Sequence, residues 1–185
     1  TVAGGEGSDS IRYTADEAVA LTDFTNVTSV EVLTAVDGVQ ITGNLGAAAD
    51  AAGIRTLTLN DTGNGDNVTI DAEFTSALTV NLDDGNNTVD ASAYTGVLTV
   101  ATTETIVDDD VHTLTGGTGT ADELLVTADG NGIDNASMTS ITAFEKITIA
   151  NNLATGTIAL DELNIADGAT LTVDATAITT ATNAF

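Results

Sequence analysis

Residues 54–101 carry the clearest structural signal in the chain, reading IRTLTLNDTGNGDNVTIDAEFTSALTVNLDDGNNTVDASAYTGVLTVA. Three similar segments, IRTLTLN, ALTVN and VLTVA, place Leu57, Leu78 and Leu98 about 20 residues apart. The first two are each followed by a turn rich in Gly, Asn and Asp and by a second apolar run, so one unit contains two short strands. Alternation along these strands puts Leu and Val on one face and Thr58 and Thr79 on the other.

A unit of this size cannot bury its apolar face alone, whereas stacked units form a continuous core. The sequence therefore predicts an all-β fold, a right-handed parallel β-solenoid of the β-helix or β-roll type, as one domain over residues 1–185. A composition with 3% aromatic residues and no proline agrees with this. The Ala-rich stretch 43–53 predicts either one short helix near residues 44–52, with Asn44 as N-cap and Gly53 after its last turn, or a loop that bulges from the stack.

A longer internal repeat relates residues 4–35 to residues 116–150, while the shorter units occupy residues 54–105. Both long copies run from a Gly-Gly turn through a strand and an acidic stretch into a similar segment, NVTSVEVLT in the first copy and SMTSITAFEKIT in the second. The alignment pairs residues 30–32 with residues 144–147, with one residue of slack. So specific an arrangement is not expected twice by chance.

The charge balance excludes two classes of partner. The chain has 28 Asp and Glu residues against three Lys and Arg, a formal net charge of −25. Binding to nucleic acid or to an anionic membrane surface depends on Lys and Arg that neutralise phosphate groups, so neither partner is expected. Repulsion among the acids disfavours the compact state, and we therefore expect high salt or bound cations to stabilise the fold. The chain has no cysteine, which leaves oxygen ligands as the route to a metal site.

The nonapeptide GGEGSDSIR, residues 4–12, matches the pattern G-G-x-G-x-D-x-U-x of calcium-binding β-helix repeats. Glycines allow positive φ and let backbone carbonyls surround a hard cation, Asp9 adds a carboxylate, and Ile11 enters the core. The turns at Asp61–Asp66 and 83–87 match only in part, and in 116–124 the aspartate arrives one position later. In these turns the alternative is that Gly, Asn and Asp supply turn conformations only.

In these residues the chain resembles the repeats-in-toxin family and the bacterial surface-layer and adhesin proteins that carry such coils. The resemblance implies Ca²⁺ held between consecutive coils, so a complete turn needs a matching neighbour. Three adjacent carboxylates at 108–110 also predict either a cation or a solvated acidic turn. The candidate calcium ligands are Gly4, Glu6, Gly7, Asp9, Asp61, Gly63, Asp66, Asp83, Gly85, Asn87, Asp109 and Asp122.

The sequence contains few residues that could catalyse a reaction. His112 is the only imidazole, and a single histidine on a strand is more often structural than a general base. The cations and tyrosines are too few and too scattered for a polysaccharide lyase, so we predict no enzymatic activity. An ice-binding face needs at least two parallel columns of threonine. Ala77 and Val97 interrupt the second column, so the sequence disfavours an ice-binding threonine array.

The sequence thus predicts a structural, extracellular protein: a calcium-stabilised building block of a bacterial surface layer, surface filament or adhesin stalk that associates with itself. The alternative is a calcium-dependent adhesin or carbohydrate-binding module that contacts surface polysaccharide. An assembling protein should form sheets, filaments or large oligomers with calcium, whereas a binding module should stay monomeric and bind glycan.

Overall fold

A computed structural model describes residues 1–20, 22–61, 63, 65–82, 85–102, 112–127, 138–150, 159–165 and 167–177. It contains short strands, one helix and one 3-10 turn. The elements are β1 (Val2–Ala3), β2 (Ser10–Tyr13), β3 (Glu17–Val19), β4 (Val27–Thr28), β5 (Val32–Ala35), β6 (Ile41–Leu45), α1 (Ala47–Ala52), β7 (Thr56–Leu59), β8 (Asn67–Ile70), β9 (Leu78–Leu82), β10 (Thr88–Asp90), β11 (Leu98–Thr102), β12 (Thr113–Thr115), β13 (Glu123–Val126), β14 (Ile141–Thr142), β15 (Lys146–Ile149), the 3-10 turn (Glu162–Asn164) and β16 (Thr172–Asp174).

The strands form two long parallel sheets. One has eight strands in the order β16-β15-β13-β11-β9-β7-β5-β2, and the other has six in the order β14-β12-β10-β8-β6-β3. A third, two-stranded sheet pairs β1 with β4, again in parallel. Successive strands of one sheet come from successive coils, so the predicted all-β parallel solenoid is confirmed, with about six turns.

The core lies between the two long sheets and follows the predicted alternation. In both β9 and β11, the first, third and fifth side chains are buried, while the second and fourth are half-buried. Buried residues from both sheets, such as Leu57, Val80 and Val89, belong to one continuous apolar cluster. Each coil therefore covers the apolar face of its neighbours, which a single coil cannot do for itself.

The register between β7 and β9 differs from the one that the sequence suggested. Leu98 pairs with Leu78 as expected, but Leu57 pairs with Val80 rather than with Leu78. The two extra residues lie in the turns between these strands, which vary in length while the alternation stays in phase. Thr58 consequently lies opposite Asn81 rather than opposite Thr79, although Thr79 does pair with Thr99 in the next strand.

The predicted helix exists but is shorter than expected. It begins at Ala47 after Gly46, and Asn44, the expected N-cap, belongs to strand β6. No side chain caps its first turn. Gly53 ends the helix as predicted, with a left-handed φ of 105° that glycine adopts without steric cost.

The two long repeats occupy equivalent positions in the coils. Ser29 and Ala143, each two residues before a glutamate, are the non-glycine residues with positive φ in the described chain, at 54° and 61°. A Cβ on Gly4 would lie 1.9 Å from the Ser29 carbonyl oxygen, and one on Gly116 would lie 2.0 Å from that of Ala143. The expected residue of slack is absent here, because the two extra residues of the second copy both lie earlier, one of them in the turn 116–122.

Candidate functional site: a ladder of buried acceptor side chains

Side chains from two of the predicted calcium turns form a buried ladder between coils. Asp66, Asn87 and His112 precede β8, β10 and β12, and each is at most 2% exposed. The backbone N–H of Asp66 donates to Oδ1 of Asn87 at 2.8 Å, and that of Asn87 donates to Nδ1 of His112 at 3.2 Å. One coil earlier, the N–H of Ile41 donates to Oδ1 of Asp66. Each side chain therefore satisfies a buried backbone donor of the coil before it.

A second set of acceptors lies at the start of the eight-stranded sheet. The carboxylate of Asp122 accepts the N–H of Leu98, in the preceding coil, at 2.8 Å and the N–H of Gly117, in its own turn, at 2.6 Å. The N–H of Asp122 in turn donates to Oε2 of Glu145, in the following coil, at 2.9 Å. Asp122 thus connects three consecutive coils through hydrogen bonds to charged acceptors, which are stronger than neutral ones.

The first long repeat has the same arrangement with one difference. The N–H of Asp9 donates to Oε2 of Glu31 at 2.9 Å, as Asp122 donates to Glu145. Within the described part of the chain, however, no donor reaches the carboxylate of Asp9, and its Oδ2 is buried without a hydrogen-bond partner. The carboxylate of Asp9 therefore lacks both donors that Asp122 receives, one from its own turn and one from a neighbouring coil.

Burial sets the protonation behaviour of these acids. Loss of hydration raises the pKa of Asp66 and of Asp122, although backbone N–H donors to each carboxylate lower it. Burial likewise raises the pKa of Glu145, and the nearby charge of Asp122 adds to the rise. Asp50 behaves in the opposite way: burial raises its pKa, but hydrogen bonds from Ser76 and Thr75 outweigh this and bring it to about 2.

These shifts predict that mild acid stabilises the protein. An acid whose pKa is raised by folding contributes stability that is complete below its ordinary pKa, 3.8 for aspartate, and that is lost as pH rises through the folded-state pKa. We therefore expect a higher melting temperature at about pH 5 than at about pH 7.5, measured by circular dichroism. Reduced repulsion among the 28 acids acts in the same direction.

The control for this pH effect is Asp122→Asn, which removes one of the titrating groups. Its gain in melting temperature between the two pH values should be smaller than that of the parent chain. The stability that Asp50 contributes is present above pH 3.8 and is lost only as pH falls toward its folded-state pKa of about 2, so it leaves this window unchanged. A melting temperature that falls on acidification to about pH 5 would contradict the assignment.

The complete calcium motif lies at the first coil. Gly4, Glu6 and Gly7 are exposed, and Asp9 is half-buried. Gly5 and Gly7 have φ of 112° and 113°, so glycine is required here for backbone conformation, as both readings of the motif expected.

The turn at residues 61–66 is organised by its own aspartates. The N–H of Gly63 donates to Oδ1 of Asp61 at 2.9 Å, and the N–H of Asp61 donates to Oδ2 of Asp66 at 3.3 Å. Gly85, in the next coil, packs against this turn so closely that a Cβ would lie 2.1 Å from the Asp61 carbonyl oxygen. Asp83 and Asp109 lie outside the described residues.

Across the described ranges, no group of three or more His, Cys, Asp or Glu side chains is placed to hold a metal ion. Calcium at these turns stays a prediction. Sequence reasoning missed the acceptor role of Glu31, Glu145 and His112, although the two glutamates fall in one column of the long-repeat alignment. Their shared position in that alignment is the sequence signal that could have identified the two glutamates as equivalent acceptors.

A cavity of about 870 Å³ lies beside the second acceptor set. It is formed between the turns 116–121 and 167–170, and Glu145 and Lys146 contribute to its lining. The intervening turn between β14 and β15 spans only residues 143–145, so the longer turns on either side overhang it. Threonine hydroxyls, glycine backbone and both signs of charge meet in this space.

In the part of the chain that the structure describes, no helix is long and apolar enough to cross a membrane. No protein-family model, curated protein or solved structure matches the chain.

Proposed function

We propose that this chain is a structural module, an extracellular building block of a bacterial surface layer, surface filament or adhesin stalk. The observation that supports this best is the uninterrupted stack of eight parallel strands, in which buried acceptor side chains connect one coil to the next. Such a stack is quasi-one-dimensional: each coil contacts its neighbours, and length is set by the number of coils. A rod of this kind serves as a spacer or as a unit of an assembly.

Cations act by neutralising the negative charge of the rod. With 28 acids against three basic residues, the folded chain repels itself and other copies when few cations are present. Calcium at extracellular concentration lowers this repulsion and binds the folded form, which stabilises it by mass action. Low calcium inside the cell keeps the chain loose, and high calcium outside favours the compact, associating state.

The test measures size and fold together, by light scattering after size exclusion and by circular dichroism. About 5 mM calcium exceeds the dissociation constants of about 10⁻⁴ to 10⁻³ M that are typical of extracellular calcium modules. We expect larger species and a higher melting temperature in calcium than in chelator, with magnesium at the same ionic strength as control. A chain that is equally folded and monomeric in all three conditions would contradict calcium-driven assembly.

The second candidate is a carbohydrate-binding module, and the cavity between the turns 116–121 and 167–170 favours it. Its threonine hydroxyls and the charged Glu145 and Lys146 suit sugar hydroxyl groups. Binding to acidic and neutral glycans, measured for the parent chain and for Glu145→Gln, separates the two candidates. A monomer that binds one glycan class and loses that binding in the variant would favour the module.

A further inference from the structure

Among the strands that the structure describes, β2 has a neighbour on one side only, and its inner face is incompletely covered. It is the last strand at one edge of the eight-stranded sheet. Ile11 and Tyr13 alternate inward but are only partly buried. The corresponding Leu124 and Val126 in β13 are fully buried, because β11 lies beside them. The edge at β2 thus has room for one more strand.

The acceptor left open at Asp9 indicates what that strand provides. In the second repeat, the matching carboxylate of Asp122 accepts the N–H of Leu98, which begins the neighbouring strand β11. In the described part of the first repeat, the carboxylate of Asp9 receives no donor. Asp122 receives one donor from its own turn and one from the neighbouring coil, so a backbone N–H from a further coil would supply Asp9 with the second of these.

The register of the missing strand follows from the repeat. Strand β11 pairs residues 99–102 with residues 123–126 of β13. The equivalence of the two repeats transfers this pairing to residues 10–13 of β2. The expected neighbour is therefore a strand with the pattern of residues 98–101, LTVA, running parallel to β2.

The opposite edge of the same sheet has such a strand. Residues 171–174 read LTVD, and β16 is the other edge strand of the eight-stranded sheet. Val173 pairs with the buried Ile147 yet is 39% exposed, because no strand of the described chain covers its outer side. The two edges thus expose complementary halves of one apolar core.

The charges at the two sheet edges are also complementary, independently of the apolar residues. With residues 171–174 aligned as residues 98–101 are, Asp174 falls opposite Arg12. Arg12 is exposed and makes no ion pair with the described residues. The other two cations of the chain are held in ion pairs with N···O distances of 2.9 Å, Arg55 with Asp50 and Lys146 with Glu123.

We propose that β16 of one copy pairs in parallel with β2 of a second copy, so that the solenoid continues from chain to chain. This head-to-tail contact rests on the structural function proposed above and specifies its interface. The N–H of Leu171 donates to the carboxylate of Asp9, Val173 covers Ile11, and Asp174 pairs with Arg12. Pairing of open sheet edges in this way is a general route to association.

Two single-cysteine variants test the register, since the parent chain has no cysteine. Thr172→Cys and Ser10→Cys place thiols on directly paired residues, within the Cα separation of about 4.4–6.8 Å that a disulfide requires. Mixed under mild oxidation, with one chain carrying a mass tag, they should form the mixed dimer faster than either forms its own dimer. Ala72→Cys, an exposed position in the turn between the interior strands β8 and β9, is the control partner for Thr172→Cys.

Charge reversal tests the recognition. Arg12→Glu and Asp174→Arg should each weaken association about five- to tenfold, because one exposed pair becomes repulsive, and mixing the two variants should restore it. Sedimentation velocity measures both effects, and circular dichroism confirms that each variant is folded. Thiols that react no faster than the control pair, or association unchanged by both reversals, would overturn this interface. Calcium-driven assembly would still stand if large species formed in those variants, whereas a chain monomeric in every condition would contradict both proposals.

Discussion

Replacement of Asp122 by alanine is expected to lower the free energy of unfolding by about 2–4 kcal/mol, because two buried backbone N–H groups lose their acceptor and each costs about 1–3 kcal/mol. Those donors belong to Leu98 and Gly117, and Asp122 itself is 0% exposed. Removal of a buried carboxylate whose pKa is raised by burial offsets part of the loss, which keeps the estimate below the full sum.

Asp9→Ala is the matched control, because it makes the same chemical change at the equivalent position of the first repeat. No described donor reaches its carboxylate, so the change should cost less than about 1 kcal/mol. Urea unfolding of dilute, monomeric protein gives both values. Hydrogen exchange adds a local readout: the Leu98 amide should exchange faster in Asp122→Ala and at the parent rate in Asp9→Ala. Equal losses in the two variants would contradict the acceptor assignment.

The buried positions of the repeating strands could be predicted from the sequence, because successive side chains of any one strand point to opposite faces of the sheet. Leu57, Val80 and Val100 are buried as the pattern required. The register between coils was less accessible, since it depends on the lengths of the turns. Strand β7 shows this: two turns and strand β8 separate it from its neighbour β9, and their lengths place Leu57 opposite Val80.

The candidate site was harder to predict than the fold, because the same residues serve two purposes in this kind of turn. An aspartate that follows glycines can bind calcium or can accept backbone N–H groups from a neighbouring coil. Asp66 and Asp122 accept such N–H groups, whether or not they also bind calcium, and this role depends on donors more than 20 residues away in sequence, Ile41 and Leu98. A single nonapeptide contains no information about those donors.

The second large effect is expected at a glycine turn. Gly65→Ala should destabilise the fold by about 2–5 kcal/mol. Left-handed backbone strain contributes about 1–2 kcal/mol of this and overpacking about 1–3 kcal/mol. Gly65 has φ of 78°, and a Cβ there would lie 2.1 Å from the Asn86 carbonyl oxygen of the next coil. Backbone cannot rotate away as a side-chain tip can, so the two coils must separate. That separation also stretches the neighbouring hydrogen bond from Asp66 to Asn87.

Gly38→Ala measures the cost of left-handed backbone strain without that of a close contact between coils. Gly38 has nearly the same φ, 75°, but a Cβ there would meet no atom within 4 Å. Its cost should therefore be the strain alone, about 1–2 kcal/mol. Urea unfolding of the two variants at equal protein concentration measures the difference, which reports how closely adjacent coils are packed. Equal destabilisation of both would mean that the coils move apart without cost, and the rigid coil-to-coil contact on which the proposed rod depends would then be wrong.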